Sequence, residues 1–232
     1  MGTLVQDPDL LNKSGVFHDR CDAGKKLATL LRREKITENA VVCAIPSGGI
    51  PVGVEIARGL SIPFTVLVVR KLQIPWNTEA GFGSMTWDGN VYLNQALVDR
   101  LSLSGDDIAR AVETTAASIR ERTGLYAGYM KSLTRIAGKT VIATDDGLAS
   151  GYTMLAAVRS LRGLGPGRIV VVVPTGSVSA VTLVAAETDI VLCQNLVTGP
   201  SFAVASAYEY WHDLSDSEVA TQLSRVRETG FF

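Results

Sequence analysis

The residues Val141-Ile142-Ala143-Thr144 lead directly into two adjacent acids, Asp145 and Asp146, and then into Gly147-Leu148-Ala149-Ser150-Gly151-Tyr152-Thr153. Neighbouring carboxylates can accept hydrogen bonds from two vicinal hydroxyls. The small residues that follow let backbone amides close on an anion, and a helix starting near Gly151 would point its positive end at the same place. Ser150 and Thr153 add hydroxyl donors. Together these groups suit a sugar phosphate.

Two further segments have anion-binding chemistry. Ile45-Pro46-Ser47-Gly48-Gly49-Ile50-Pro51-Val52-Gly53 follows an apolar run and precedes a helical one, so the amides around Ser47, Gly48 and Gly49 can hold a second anionic group. It is not a nucleotide-binding Walker A loop, because Val54 and Glu55 follow where Lys and Ser or Thr would stand. Arg70 and Lys71 close the run Phe64 to Val69 and add two cations. His18 and His212 lack metal-ligand spacing with each other or with a cysteine, which argues against zinc.

These groups need a scaffold that brings loop ends together. Val41 to Ile45, Phe64 to Val69, Val141 to Thr144, Ile169 to Val173 and Ile190 to Cys193 are short β-branched runs without polar alternation, which predicts strands covered on both faces. Between them Asp19 to Arg33, Pro51 to Leu60, Gly151 to Leu164 and Val178 to Glu187 carry apolar residues at helical spacing. The expected fold class is α/β, a doubly wound, mostly parallel central sheet flanked by helices. A capped surface helix is expected from Ser104 to Lys131. Leu72 to Asn90, rich in Gly, Pro and Asn, predicts a long mobile loop, with or without a hairpin. The chain 1–232 is expected to be one domain, its core about 16–195 and a small hood formed by about 196–214 with a contribution from N-terminal residues. The first dozen residues and the Gly-Phe-Phe end are expected to fray.

Bulk properties exclude several classes. Twenty-two Lys and Arg against twenty-three Asp and Glu leave a formal charge of −1, which supplies no field for gathering nucleic acid. No run of eighteen apolar residues exists to cross a membrane. Cys21, Cys43 and Cys193 are odd in number and lie far apart without a CxxC pair, which reads as reduced thiols in a cytoplasm.

The two-acid segment resembles the hallmark of the type I phosphoribosyltransferases, although Thr144 stands where that pattern prefers an aliphatic residue and Ser150 where Thr is commoner. The resemblance extends over nearly the whole chain to a group of phosphoribosyltransferases of unassigned substrate, through Phe17 to Leu31, Pro46 to Lys71, Leu93-Asn94 and Phe202 to Tyr210. It implies transfer of a 5-phosphoribosyl group from phosphoribosyl pyrophosphate to a nitrogenous acceptor, a nucleobase in the first instance, with release of pyrophosphate. Asp145 and Asp146 would then hold the ribose hydroxyls and touch Mg²⁺ through water. Gly147, Leu148, Ala149, Ser150, Gly151 and Thr153 would hold the 5′-phosphate, and Ser47, Gly48, Gly49, Arg70 and Lys71 the pyrophosphate. The acceptor would meet the Val197 to Leu214 segment, where Phe202, Tyr208, Tyr210 and Trp211 offer either a stacking surface or core packing, and a homodimer is expected.

Two departures matter. Ser47 replaces the Arg usual in the pyrophosphate loop, and Ala149 stands where hypoxanthine-type enzymes carry an Asp. Adenine-type enzymes draw an acid from the mobile loop instead, which makes Glu79 the candidate base. The same departures suggest an alternative, a noncatalytic sensor of phosphoribosyl pyrophosphate or a nucleotide. An unrelated dinucleotide-binding protein is disfavoured, because Gly81-Phe82-Gly83-Ser84-Met85-Thr86 lacks the final Gly of that fingerprint.

Overall fold

The computed structural model describes residues 2–199 and 202–227; the side chains of Thr78, Glu79, Lys131, Ser132 and Arg227 lie outside that description, as does the Gly230-Phe231-Phe232 end that was expected to fray. Six parallel strands make the central sheet: β1 (Thr3–Gln6), β2 (Ala40–Ala44), β3 (Phe64–Val66), β7 (Thr140–Thr144), β8 (Arg168–Ser177) and β9 (Ile190–Val197), in the order β1-β9-β8-β7-β2-β3. The apolar runs without alternation are explained by two cores. Register aligns Val42, Ile142 and Val170 across one face and Val41, Val141 and Ile169 across the other. The first row packs against Leu27 and Leu31 of α1 (Arg20–Arg33) and Ile56 of α2 (Gly49–Leu60). The second packs against Met154, Val158 and Leu161 of α5 (Tyr152–Arg162) and Val181 and Val184 of α6 (Val178–Ala185). Each such side chain, fully buried, contributes roughly 1.5–3 kcal/mol, so the strands are held from both sides.

Helix starts follow their capping chemistry. Asp19 accepts from the Asp22 amide at 2.8 Å and opens α1. Ser104 and Asp107 form a reciprocal capping box that opens α4 (Gly105–Tyr126). That helix ends before Lys131, passing at Ala127–Tyr129 into a 3-10 turn that contains Gly128.

Three expectations need correction. The run Phe64 to Val69 does not remain one strand: β3 stops at Val66, and the chain leaves the central sheet for β4 (Val69–Ile74). The expected mobile loop is a second sheet, antiparallel, of β4, β5 (Asn77–Thr86) and β6 (Val91–Leu93). Its glycines suggest a loop, but a Cβ on Gly83 would lie 2.5 Å from the Tyr92 carbonyl oxygen, so glycine there serves close strand approach. Buried Leu72, Ile74, Phe82 and Met85 anchor this sheet to the core. Finally, the N-terminus contributes β1, paired with β9 from Thr3↔Ile190 to Gln6↔Cys193, so the core sheet begins well before residue 16.

From the segment expected to form a hood, Ala207 and Tyr208 are buried in a small cluster with Phe17 and Ala23, with a parallel bridge between Phe17 and Tyr208. The chain then forms α7 (Asp216–Arg227), a helix that sequence reading missed because only Val219, Leu223 and Val226 are buried on an otherwise polar surface. Three helices, α3 (Gln95–Arg100), α4 and α5, surround the second sheet and the site.

Candidate functional site

From β2 the chain winds outward through α2 to β3, and from β7 it winds the other way to β8 and β9. The winding order therefore reverses between β2 and β7, parallel neighbours whose ends Ala44 and Thr144 are paired. A crevice opens at the carboxyl ends at such a reversal. Ile45 and Pro46 leave β2 into it, and Asp145 leaves β7. The resulting cavity, about 640 Å³, is lined by Asp145, Gly147, Leu148, Ala149, Ser150, Gly151, Thr153, Arg70 and Lys71 among others.

Backbone ties fix the turn after β7. The Leu148 amide donates to the Thr175 carbonyl at 2.9 Å, and the Ser177 amide donates to the Leu148 carbonyl at 3.0 Å. The Ser177 hydroxyl donates to the Ala149 carbonyl at 2.9 Å. Gly151 has φ of +80° and caps α5 with no side chain, so the helix end keeps its amides for something else. Among the described residues nothing accepts from the amides of Ala149, Ser150 or Gly151. That is the arrangement an anion completes.

The two acids diverge. Asp145 faces the cavity, and one of its oxygens accepts the Asp146 amide at 2.9 Å. Asp146 turns the other way, accepting from Arg20 Nε at 2.9 Å with 16% of its side chain exposed. Arg20 in turn donates to the His212 carbonyl at 3.0 Å and lies 3.8 Å over the Trp211 ring. Burial, and then the Asp146 charge, holds the Asp145 carboxyl well above the usual aspartate range. Burial also raises Asp146, opposed by the Arg20 cation.

This predicts a pH dependence. The folded Asp145 binds its proton more tightly than the unfolded chain, so its contribution falls as pH rises from the ordinary value of 3.8 through the raised folded one. Asp145→Asn is therefore expected to stabilise the ligand-free protein at pH 7 by about 0.5–2 kcal/mol, with the gain vanishing towards pH 4. Urea midpoints of both proteins across that range measure it.

The Ser47-Gly48-Gly49 segment sits against the acids. A Cβ on Gly48 would lie 1.9 Å from an Asp146 oxygen, and one on Gly49 would lie 2.9 Å from the Asp145 Cα. The Pro46–Ser47 peptide is cis. Ser47 Oγ accepts from Arg122 of α4 at 3.3 Å. Glu79 is on β5, whose Ala80 and Gly81 line the cavity; its side chain is outside the described structure.

The aromatic residues assigned to the acceptor do not line this cavity. Tyr208 is buried, its hydroxyl donating to the Asp146 carbonyl at 2.6 Å and its ring 5.1 Å from that of Trp211. Tyr210 is exposed beside His18, with centroids 4.5 Å apart, and Phe202 is half-buried outside the cavity. Sequence reading missed Arg20 and the α4 residues Thr114, Thr115 and Ser118, which line the cavity. Both had a signal. Arg20 precedes Ala23, Leu27 and Leu31 on the apolar stripe of α1, where a charge is out of place, and Thr114, Ser118 and Arg122 repeat every fourth residue.

The donor set fits Mg²⁺ of the kind that uses one carboxylate, substrate oxygens and water. Asp145 presents a carboxylate to the cavity, and among the described residues no three His, Cys, Asp or Glu side chains gather into a protein cage. Asp146, committed to Arg20, is not part of that set. The cysteines are free, and burial pushes Cys193 up to about 12, far from nucleophilic character.

Comparison with known proteins agrees with this geometry. The sequence pattern of the phosphoribosyl transferase domain matches residues 17–187. The Mycobacterium tuberculosis protein named "Putative phosphoribosyl transferase", in strains H37Rv and CDC 1551, is 33% identical over 218 residues, covering 91% of this chain and 47% of its own. This chain thus spans about half the length of the curated relatives it matches. The crystal structure of TT1426 from Thermus thermophilus superposes with a TM-score of 0.66 at 29% identity, covering 89% of this chain and 97% of that one. With an acid-bearing strand end and an uncapped helix start in one crevice, and a glycine loop packed against the acids, the chain belongs to the phosphoribosyl transferase domain family.

Proposed function

We propose that this protein transfers the 5-phosphoribosyl group of phosphoribosyl pyrophosphate to a nitrogenous acceptor, a nucleobase in the first instance. The observation that carries the reading is the cavity shared by Asp145 and the free amides at the start of α5. The 5′-phosphate fits the Gly147–Thr153 turn, where amides and the Ser150 and Thr153 hydroxyls converge. Asp145 accepts from a ribose hydroxyl. Asp146 acts behind it, keeping Gly48 and the loop in place through its pair with Arg20.

In the reaction the bond from the anomeric carbon to pyrophosphate breaks with its electron pair leaving on the pyrophosphate oxygen, while the acceptor nitrogen forms the new bond. Positive charge grows on the sugar, which the Asp145 carboxylate stabilises. Arg70 and Lys71, on the rim of the same cavity, offset the charge released on pyrophosphate. Glu79 is the candidate for the acceptor's proton. Mg²⁺ held by Asp145 through water would supply further charge neutralisation at the diphosphate.

A second reading, a sensor that binds without turnover, is favoured by Ala149, which brings no acid to the cavity lining. Calorimetric titration of phosphoribosyl pyrophosphate with Mg²⁺ is expected to show binding that Asp145→Asn weakens about tenfold or more, the loss of one charge-assisted hydrogen bond. Pyrophosphate release with a panel of nucleobases then separates transferase from sensor. Absence of binding by the intact protein would remove both readings.

A further inference from the structure

Two arginines, Arg122 and Arg70, lie near the Pro46–Gly49 loop and the cavity beside it. Arg122, on the inner stripe of α4, donates from Nη1 to Ser47 Oγ at 3.3 Å. It is half-buried, as is Arg70 on the facing strand β4. The two guanidinium groups are close enough for burial, and then the Arg122 charge, to hold Arg70 below its ordinary pKa. Among the described residues neither has a carboxylate within ion-pair distance, whereas the half-buried Arg225 reaches Glu55 at 2.7 Å. Two like charges held together with no counterion repel each other.

One turn further along α4, the Tyr126 side chain is 2% exposed and its hydroxyl has no hydrogen-bond partner among the described residues. A buried hydroxyl of this kind ordinarily has a partner. Ser47 and Arg122 are paired on the loop, Arg70 lines the adjoining cavity with Pro46, and the Tyr126 phenol lies one turn beyond Arg122 on α4. All can donate to an oxyanion.

We propose that Arg122 of α4 binds the pyrophosphate end of the substrate, supplying from a helix the guanidinium that residue 47 of the loop does not carry. Ser47 docks that guanidinium on the loop, so the charge reaches the site although the loop itself is neutral. Arginine suits the task, because its planar fork can bond two phosphate oxygens at once. The inference rests on the phosphoribosyl pyrophosphate reading of the site, and its test separates the two.

Inorganic pyrophosphate with Mg²⁺ and ribose 5-phosphate are titrated separately into the intact protein, Arg122→Gln and Arg120→Gln. Arg120 is exposed and lies off the inner stripe, so its variant controls for the loss of one positive charge. Thermal unfolding of each variant establishes that it is folded. Arg122→Gln is expected to weaken pyrophosphate binding about ten- to hundredfold, the worth of a charge-assisted hydrogen bond, while ribose 5-phosphate binding stays within about twofold. Arg120→Gln is expected to leave both within about twofold.

Unchanged pyrophosphate affinity in Arg122→Gln would overturn the proposal. So would an equal loss in Arg120→Gln, which would mean a general field effect, or an equal loss of both ligands in Arg122→Gln, which would mean that Arg122 supports the whole site. Failure of the intact protein to bind either ligand would overturn the underlying reading of the site.

Discussion

Arg20→Met is expected to lower stability at pH 8 by about 3–5 kcal/mol, the range for removing one partner of a buried ion pair. Arg20 is 7% exposed and serves three groups at once: the Asp146 carboxylate, the His212 carbonyl and the Trp211 ring. Methionine fills much of the volume but leaves the carboxylate without a cation and the carbonyl without a donor. The cost also has a pH signature. Loss of Arg20 raises the folded Asp146 pKa further above its unfolded value, so the destabilisation is full above the folded pKa and shrinks as pH falls and the carboxyl protonates. Urea unfolding at pH 5 and pH 8 measures both the size and the trend. Adding Asp146→Asn is expected to recover much of the loss, because no buried charge then remains. A loss below about 1 kcal/mol that does not vary with pH would place the pair with ordinary surface bridges.

Gly48→Ala is expected to abolish phosphoribosyl pyrophosphate binding and to cost about 1–3 kcal/mol of stability, as overpacking does. The reason is contact and not backbone conformation, since Gly48 has φ of −62°. The added methyl would meet Asp146 Oδ2 at 1.9 Å and Cγ at 2.4 Å, and Asp146 cannot retreat without releasing Arg20. The loop and the acid would separate, taking Ser47 and Arg122 out of register with Asp145. Gly124→Ala is the matching control. It lies in α4 with nothing within 4 Å of an added Cβ, so it is expected to gain about 0.5–1 kcal/mol and leave binding alone. Calorimetry and denaturant melts of the two variants together distinguish a steric effect at the site from a general intolerance of alanine for glycine.

Much of the architecture was legible because local rules sufficed. Val41 to Ile45 and Val141 to Thr144 are apolar on both faces, and only a sheet sandwiched between helices buries both. The Asp145 to Thr153 segment carries its chemistry in consecutive residues, so strand, turn and helix start could be located together. The second sheet was less legible. Gly81 and Gly83 have the composition of a loop, but they serve close approach between strands; at Gly83 that contact is set by Tyr92 and Leu93 across the ladder. The strand β1 was hidden for a similar reason: Thr3–Gln6 is a short edge, and its stability comes from pairing with β9, nearly two hundred residues away.

Hydrophobic period and turn chemistry act over a few residues, and they were enough to specify the parallel sheet, the helices that cover it, and the acid and glycine segments that meet at its carboxyl edge. The separate surroundings of the two acids came from long-range packing instead. Asp145 and Asp146 are chemically identical neighbours, yet alternation along the chain end turns one into the cavity and the other towards Arg20, a residue 126 positions away in the chain. The same packing brings Arg122 to Ser47 across 75 positions, a pairing that no local spacing encodes because it arises from how α4 crosses the site.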